Sequence, residues 1–352
     1  MTSPLRVAFV VDGQGFGGAQ VYARSLLRHL PADIQRVVLT VREHGEALAP
    51  VLRAGDEMHV VESSLRAQEA PALRALLGGV APDLVHVNLV DPGGLVAALE
   101  AAADTAPAVA TLHMTGDIGV GAVHHRLGSA YGRLRHVAAA SEPIAELLRT
   151  ELGLPAERVT AVRNGVDPVH LPPRPPNDPP VAGVLARLTA QKGLDVLLDA
   201  TATLVRRGVR FELLIGGGGR DEHTLRAQAA GLPVTFAGFQ HDAAAFLARL
   251  DVFCHPSRVD ALPLSLLEAM SAGLPCISSD VGDVRAAVGE AAVIVATEDS
   301  DAVADALECL LGDAAGRVRL GEAARARARG LTAHRMAQRT WEVFSAAPAG
   351  VR

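Results

Sequence analysis

Four residues in the second half of the chain combine charge and spacing in a way that invites chemistry. Arg187 and Lys192 stand five residues apart in VLARLTAQKG, just past an apolar run that reads as a strand. Two cations converging on such a loop suit a pyrophosphate, the guanidinium as a fork and the ammonium as a point charge. Lys192 is the single lysine among 33 basic residues. Either a compact charge is wanted there or a lysine has survived by chance in an arginine-biased composition. Asp260 and Glu268 follow, eight positions apart in DVFCHPSRVDALPLSLLEAMSAGLPC. Asp260 falls on a loop after a strand, and Glu268 lies in a helix that Pro263 opens and Gly273 and Pro275 close. Two carboxylates so placed can flank one ligand, with the free amides of the first helical turn between them. The plain alternative makes Asp260 a helix cap and Glu268 a half-buried charge. Even so, a carboxylate within LSLLEAMSA needs a partner or a job.

Glycines mark two further loops. Near the start, VAFVVDGQGFGGAQVYARSLLRHL reads as strand, turn and helix, and Gly13, Gly15 and Gly18 spell G-x-G-x-x-G. A dinucleotide site of this type wants an acidic residue at the end of the second strand, about 20 residues on. Here the strand Arg36 to Val41 runs into Arg42, and Glu43 comes late. NAD binding therefore stays open beside a second reading, a turn that lets phosphate or sugar oxygens approach a helix N-terminus. LLIGGGGRDE puts Gly216 to Gly219, Gly217 among them, after another strand, for a close backbone approach or for a loose loop.

The elements that must position these residues follow one rhythm. LRVAFVV, RVVLTV, MHVVE, DLVHVN, AVATLH, HVAAAS and RVTAVRNG read as buried strands alternating with helical patterns. VAGVLARL, RFELLIGGGG, VTFAGF, LDVFCHPS, PCISSD and AAVIVAT repeat the rhythm after a break. Short apolar strands between helices imply α/β architecture, parallel sheets covered on both faces. The break, DPVHLPPRPPNDPP from Asp167 to Pro180, carries seven prolines and reads as a stiff extended linker. The expected organisation is a first doubly wound domain over residues 1–167, a linker over 168–180 and a second domain over 181–332. A final helix over 333–347, with the single tryptophan Trp341, is expected to return to the first domain.

Composition narrows the function classes. A net charge of −6 argues against a general nucleic-acid or anionic-membrane binder. No apolar stretch reaches the length of a membrane span, and MTSPLRV lacks the pattern of a signal peptide, so a soluble protein is expected. Three cysteines, Cys254, Cys276 and Cys309, form no C-x-x-C and suit a reducing cytoplasm. Asp299-Ser300-Asp301 reads as a helix cap rather than a metal site, and the adjacent His124 and His125 lack metal-pair spacing. The basic stretch HHRLGSAYGRLRH reads as a solvated helix face. Its Arg126, Arg133 and Arg135 would otherwise meet a phosphate-bearing acceptor or a membrane surface.

Taken in order, GGAQ (Gly17 to Gln20), TLH (Thr111 to His113), ASEPI (Ala140 to Ile144), NGVD (Asn164 to Asp167), ARLTAQKG and the carboxylate element ending at Glu268 resemble the retaining family 4 glycosyltransferases. The resemblance runs from about Leu5 to Phe344. It implies the GT-B fold, two Rossmann-like domains facing a central cleft that closes on a nucleotide-diphospho-sugar. Arg187 and Lys192 would then hold the donor's diphosphate, with backbone amides of Leu262 and Leu264 and the loop at Gly217 completing the cradle. Glu268 would accept hydrogen bonds from the ribose, and Asp260 would contact the transferred sugar. Gly17 and Gly18 would face the donor, and His113 would reach the sugar or its leaving oxygen. The family usually has glutamate where Asp260 stands, often glycine at Leu262, and often glycine at Ala186.

The resemblance implies transfer of a sugar, with retained configuration, to a hydroxyl acceptor, without a metal and with a UDP-sugar favoured. His113, Arg187, Lys192 and Asp260 would carry the chemistry. The expected partners are the donor and an acceptor, with no nucleic acid and with peripheral membrane contact if the acceptor is lipid-linked. A nucleotide-sugar epimerase on the same fold and a non-catalytic nucleotide-sugar-binding protein are the competing readings.

Overall fold

The computed structural model describes residues 4–13, 15–62 and 64–346. Ala347, the expected end of the last helix, and Met1 to Ser3 lie outside them. The chain forms two compact units. One runs through Asn164 and resumes at Ala333, and the other is Gly165–Thr332.

The first unit is built on seven parallel strands: β1 Leu5–Val11, β2 Ile34–Val41, β3 Glu57–Val61, β4 Leu84–Leu89, β5 Ala108–Leu112, β6 His136–Ala139 and β7 Val159–Ala161. Their order is β3-β2-β1-β4-β5-β6-β7. Helices cover both faces of the inner strands, so every residue of β4 and β5 is buried, the polar His86, Asn88 and Thr111 included. The second unit has six strands: β8 Val181–Leu185, β9 Glu212–Gly216, β10 Val234–Gly238, β11 Val252–His255, β12 Cys276–Ser279 and β13 Val293–Val295. They are ordered β10-β9-β8-β11-β12-β13, again parallel. In each sheet the order reverses at one place, between β1 and β4 in the first and between β8 and β11 in the second. Ligands of open parallel sheets bind outside the carboxyl ends of the strands at such reversals.

The helix Ala333–Ala346 belongs to the first unit. Its Met336, Ala337, Val343 and Phe344 are buried in that unit's core beside Tyr22, Leu26 and Leu27, and Trp341 packs against the same cluster. The Tyr22 hydroxyl meets Thr340 Oγ1 at 2.9 Å, which fastens the returning helix to the helix Gly18–His29.

The proline-rich segment, expected as a stiff extended linker over 168–180, is bonded along its length to the second unit. The chain divides at Asn164/Gly165, ahead of Asp167, and the segment lies along the second unit. Val169 N–H donates to Ser271 Oγ at 2.9 Å, and Asn177 Nδ2 donates to Asp251 Oδ2 at 2.7 Å. Arg174 bonds Ala248 O and Asp251 Oδ1. Prolines cannot pair in a sheet, but the polar residues between them can anchor an extended chain to a neighbouring surface.

Candidate functional site

The reversal between β8 and β11 gathers the charged residues singled out in the sequence. Lys192 ends a 3₁₀ turn, Ala190–Lys192, in the connection after β8. Asp260 lies in the connection after β11. Lys192 Nζ donates to both carboxylate oxygens of Asp260, at 2.8 and 2.7 Å, and the two side chains are only 14% and 12% exposed. His255, the last residue of β11, places Nε2 2.9 Å from Asp260 Oδ2. Burial alone would raise the Asp260 carboxyl; the charge of Lys192 and the hydrogen bond from His255 outweigh it and hold the group well below the usual carboxylate range. Since that carboxylate can only accept, His255 Nε2 carries the proton. Asp260 caps no helix, because the helix Leu264–Ala272 starts after Pro263 without a side-chain cap.

Glycines press the surrounding loops together. A Cβ on Gly217, whose φ is +127°, would stand 1.9 Å from Ala186 O, and one on Gly219 would stand 2.3 Å from Leu188 O. These two carbonyls flank Arg187. The four-glycine run thus lets the loop after β9 lie directly against the loop that carries Arg187, an approach of backbone to backbone. Gly193, at φ +62°, abuts Pro256 O in the same way, and Gly282 abuts the carbonyls of Asp260 and Ala261. Arg258 adds polar ties: it chelates Asp195 at 2.8 and 2.7 Å, bonds Ala190 O at 2.6 Å and pairs with Glu298 at 2.8 Å. Gln191 Nε2 donates to Val259 O at 2.8 Å. The Lys192 and Asp260 loops are therefore fixed to each other along their length.

Arg187 is exposed and makes no ion pair among the described residues, so its guanidinium is available to an anion. Leu264 is the first residue of the helix Leu264–Ala272, and Glu268 sits half-buried in its middle. Leu262 is 1% exposed, its side chain turned into the protein. Asp299 Oδ1 accepts from Ala302 N–H at 2.9 Å, the cap read from the sequence. Among the described residues no three His, Cys, Asp or Glu side chains are grouped as metal ligands.

In the first unit the glycine turn follows β1 and is closed by its own sequence. Gly17 N–H donates to Gln20 Oε1 at 2.9 Å, and Gln20 Nε2 donates to Asp12 O at 3.2 Å. The amide of Gly17 is thus already taken, unlike those that cradle a dinucleotide pyrophosphate. Gly18 is the first helical residue. His113 follows β5 and is 7% exposed. Its Nε2 meets Asn88 Oδ1 at 2.8 Å, while Asn88 Nδ2 donates to Ala19 O at 3.1 Å. The amide orientation is fixed by Ala19, so His113 Nε2 bears the proton and Nδ1 is left as an acceptor. Burial pushes the imidazole down to about 3, so it is neutral near pH 7. Asn88 and His255 were not singled out by sequence reasoning; each lies in an apolar strand, and only its position at the carboxyl end of that strand signals a ligand-facing role.

The basic stretch is largely neutralised. Arg126 chelates Glu100 at 2.7 Å through two nitrogens, and Arg133 pairs with Asp104. Both arginines stay largely exposed, in keeping with a solvated helix face, and their partners are carboxylates of the neighbouring helix Val96–Thr105. A pocket of about 600 Å³ opens nearby, beyond the carboxyl ends of β4 and β5, lined by Arg66, Gly93, Gly94, Asp117, Ile118 and Arg126 among others.

Two parallel sheets, each with charged or polar groups at its reversal, define a two-domain α/β protein of the GT-B type. Residues 16–170 match the family described as Glycosyltransferase Family 4, and residues 179–313 match that described as Glycosyl transferases group 1. The chain belongs to this family of glycosyltransferases. It is similar to the phosphatidyl-myo-inositol mannosyltransferase of Mycobacterium leprae, 41% identical over 128 residues covering 34% of each chain. It is also similar to the amylovoran biosynthesis glycosyltransferase AmsK of Erwinia amylovora, 33% identical over 156 residues, 39% of this chain and 38% of that one. The matches thus span less than half the length of these relatives. Among solved structures, Anabaena HepE in complex with UDP and glucose superposes with a TM-score of 0.81 at 19% identity, over 97% of this chain and 100% of that one. Sucrose-phosphate synthase of Thermosynechococcus elongatus superposes with a TM-score of 0.76 at 20% identity, over 97% and 98%. No helix among the described residues is long and apolar enough to cross a membrane.

Proposed function

We propose that the chain is a retaining glycosyltransferase that moves a sugar from a nucleotide-diphospho-sugar, with a UDP-sugar favoured, to a hydroxyl acceptor. The observation that carries this reading is the cationic reversal of the second sheet, where Arg187 is exposed and Lys192 is held by Asp260, which lies just ahead of the helix bearing Glu268. That placement suits a diphosphate on the two cations, a ribose on Glu268 and the transferred sugar near Asp260.

In the proposed reaction the bond between the anomeric carbon and the diphosphate oxygen breaks while the acceptor oxygen bonds to the same face of that carbon. The acceptor's proton passes to the departing phosphate oxygen. Arg187 and Lys192 stabilise the charge that develops there, so the mechanism needs no metal for that role. In the first unit His113 has an Nδ1 lone pair to offer to a hydroxyl, and the pocket lined by Arg66, Asp117 and Arg126 takes the acceptor. Product analysis tests the reading. A transferase yields a glycoside of unchanged anomeric configuration and needs an acceptor, whereas an isomeric nucleotide-sugar formed without acceptor would mark an epimerase instead.

A further inference from the structure

His255 is 2% exposed and bonded on both ring nitrogens. Nε2 meets Asp260 Oδ2 at 2.9 Å and Ser257 Oγ at 3.0 Å, and Nδ1 meets Ser278 Oγ at 3.1 Å. Ser278 lies in β12, so its contact with Nδ1 ties the ring to that strand. The imidazole is thus a fixed post, and Asp260 has two holders, His255 on one oxygen and Lys192 on both. If Lys192 is to bind a diphosphate, its ammonium must be shared with the phosphate or moved to it. Asp260 would then be a buried carboxylate short of a partner, and such a group clings to the cation it has. The hydrogen bond from His255 offsets that pull.

We propose that His255 is the positioning residue that frees Lys192 for the donor, by holding Asp260 in place when the ammonium turns to the diphosphate. This rests on the reading of Lys192 as a phosphate-binding residue. It makes the Lys192–Asp260 pair a resting state that donor binding opens, with His255 deciding how easily. The shorter side chain of aspartate fits this role, since its carboxylate reaches the post and the lysine together.

The test is a double-mutant cycle read by calorimetric titration with UDP, GDP and ADP, carrying forward the nucleotide that binds tightest. His255→Leu should weaken its binding about tenfold, the weight of one charge-assisted hydrogen bond. In the Asp260→Asn background, where no buried charge competes for Lys192, the same change should cost less than about twofold. His255→Gln, which keeps an N–H near the Nε2 position, should restore binding to within about threefold of the unsubstituted chain, and His255→Asn, too short to reach, should not. Equal weakening in both backgrounds, or no weakening in either, would overturn the proposal while leaving the phosphate site intact. Should His255→Leu fail to fold, the Gln and Asn variants decide: indistinguishable affinities would overturn it. If the unsubstituted chain binds none of the three nucleotides, the phosphate-site reading falls and this proposal falls with it.

Discussion

Lys192 and Asp260, 68 residues apart in sequence, form a two-point ion pair across the strand reversal of the second sheet, at 2.8 and 2.7 Å. The pair joins the connection after β8 to the connection after β11, so the chain's single lysine stands where the fold favours a ligand. Lys192→Ala should therefore lower turnover at saturating donor by about a hundredfold, comparable to removing one donor to a developing oxyanion at about 3 kcal/mol. Lys192→Arg should not restore it, because a guanidinium fork chelates the Asp260 carboxylate rather than acting as a compact point charge on the diphosphate. Steady-state kinetics of both variants check this, and full turnover by Lys192→Ala would remove the assignment.

The four-glycine run offers a test of positioning. Gly217→Ala places a methyl on Ala186 O and forces a residue with φ near +127°, so the Arg187 loop must move. The neighbouring Gly218→Ala meets nothing within 4 Å. Gly217→Ala should destabilise the second unit by about 2 kcal/mol and weaken donor binding, while Gly218→Ala should be near neutral. Chemical denaturation and donor titration of the pair would show it; equal behaviour would mean the close approach is not required.

Asn88 should matter for both packing and chemistry. Asn88→Ala leaves the Ala19 carbonyl and the His113 N–H without their partners in a buried site, at about 1–3 kcal/mol each. It also frees the His113 tautomer. We expect a lower melting temperature together with a fall in turnover. A stability loss with turnover intact would confine Asn88 to packing.

The first unit should lose stability in mild acid. Burial pushes His86 and His113 down to about 3, from an ordinary value near 6.5. Below about pH 6.5 the unfolded chain takes up two protons that the folded unit refuses, so stability falls as the pH drops toward 3. The slope is at most about 1.4 kcal/mol per pH unit for each imidazole. Trp341, packed against this unit's core, reports its unfolding by fluorescence. Urea titrations at pH 7, 6 and 5 should show a falling midpoint, with a shallower slope in His86→Phe. A flat profile would contradict the buried neutral imidazoles.

Much of this architecture was legible in the sequence because apolar strands alternating with helices leave few other solutions. The strand ends carrying Arg187, Lys192 and Asp260 followed from the same pattern. What periodicity could not carry was pairing between distant loops. Nothing local told that Asp260 would close on Lys192, or that Glu100 and Asp104 would neutralise Arg126 and Arg133 from another helix. The glycines after β9 read as a close backbone approach or a loose loop, and the structure shows the close approach, made to their own chain at Ala186 and Leu188. His255 and Asn88 were hidden by their strands, since a polar residue ending an apolar run looks like any strand terminus.

The central claim is that Lys192 and its neighbours bind a nucleoside diphosphate. A thermal-shift titration with UDP, GDP, ADP and NADH, run in parallel on the unsubstituted chain and on Lys192→Ala, addresses it most directly. Stabilisation by a nucleoside diphosphate, lost in the variant, is the expected result. Stabilisation by NADH alone, or by a diphosphate equally in both proteins, would contradict it.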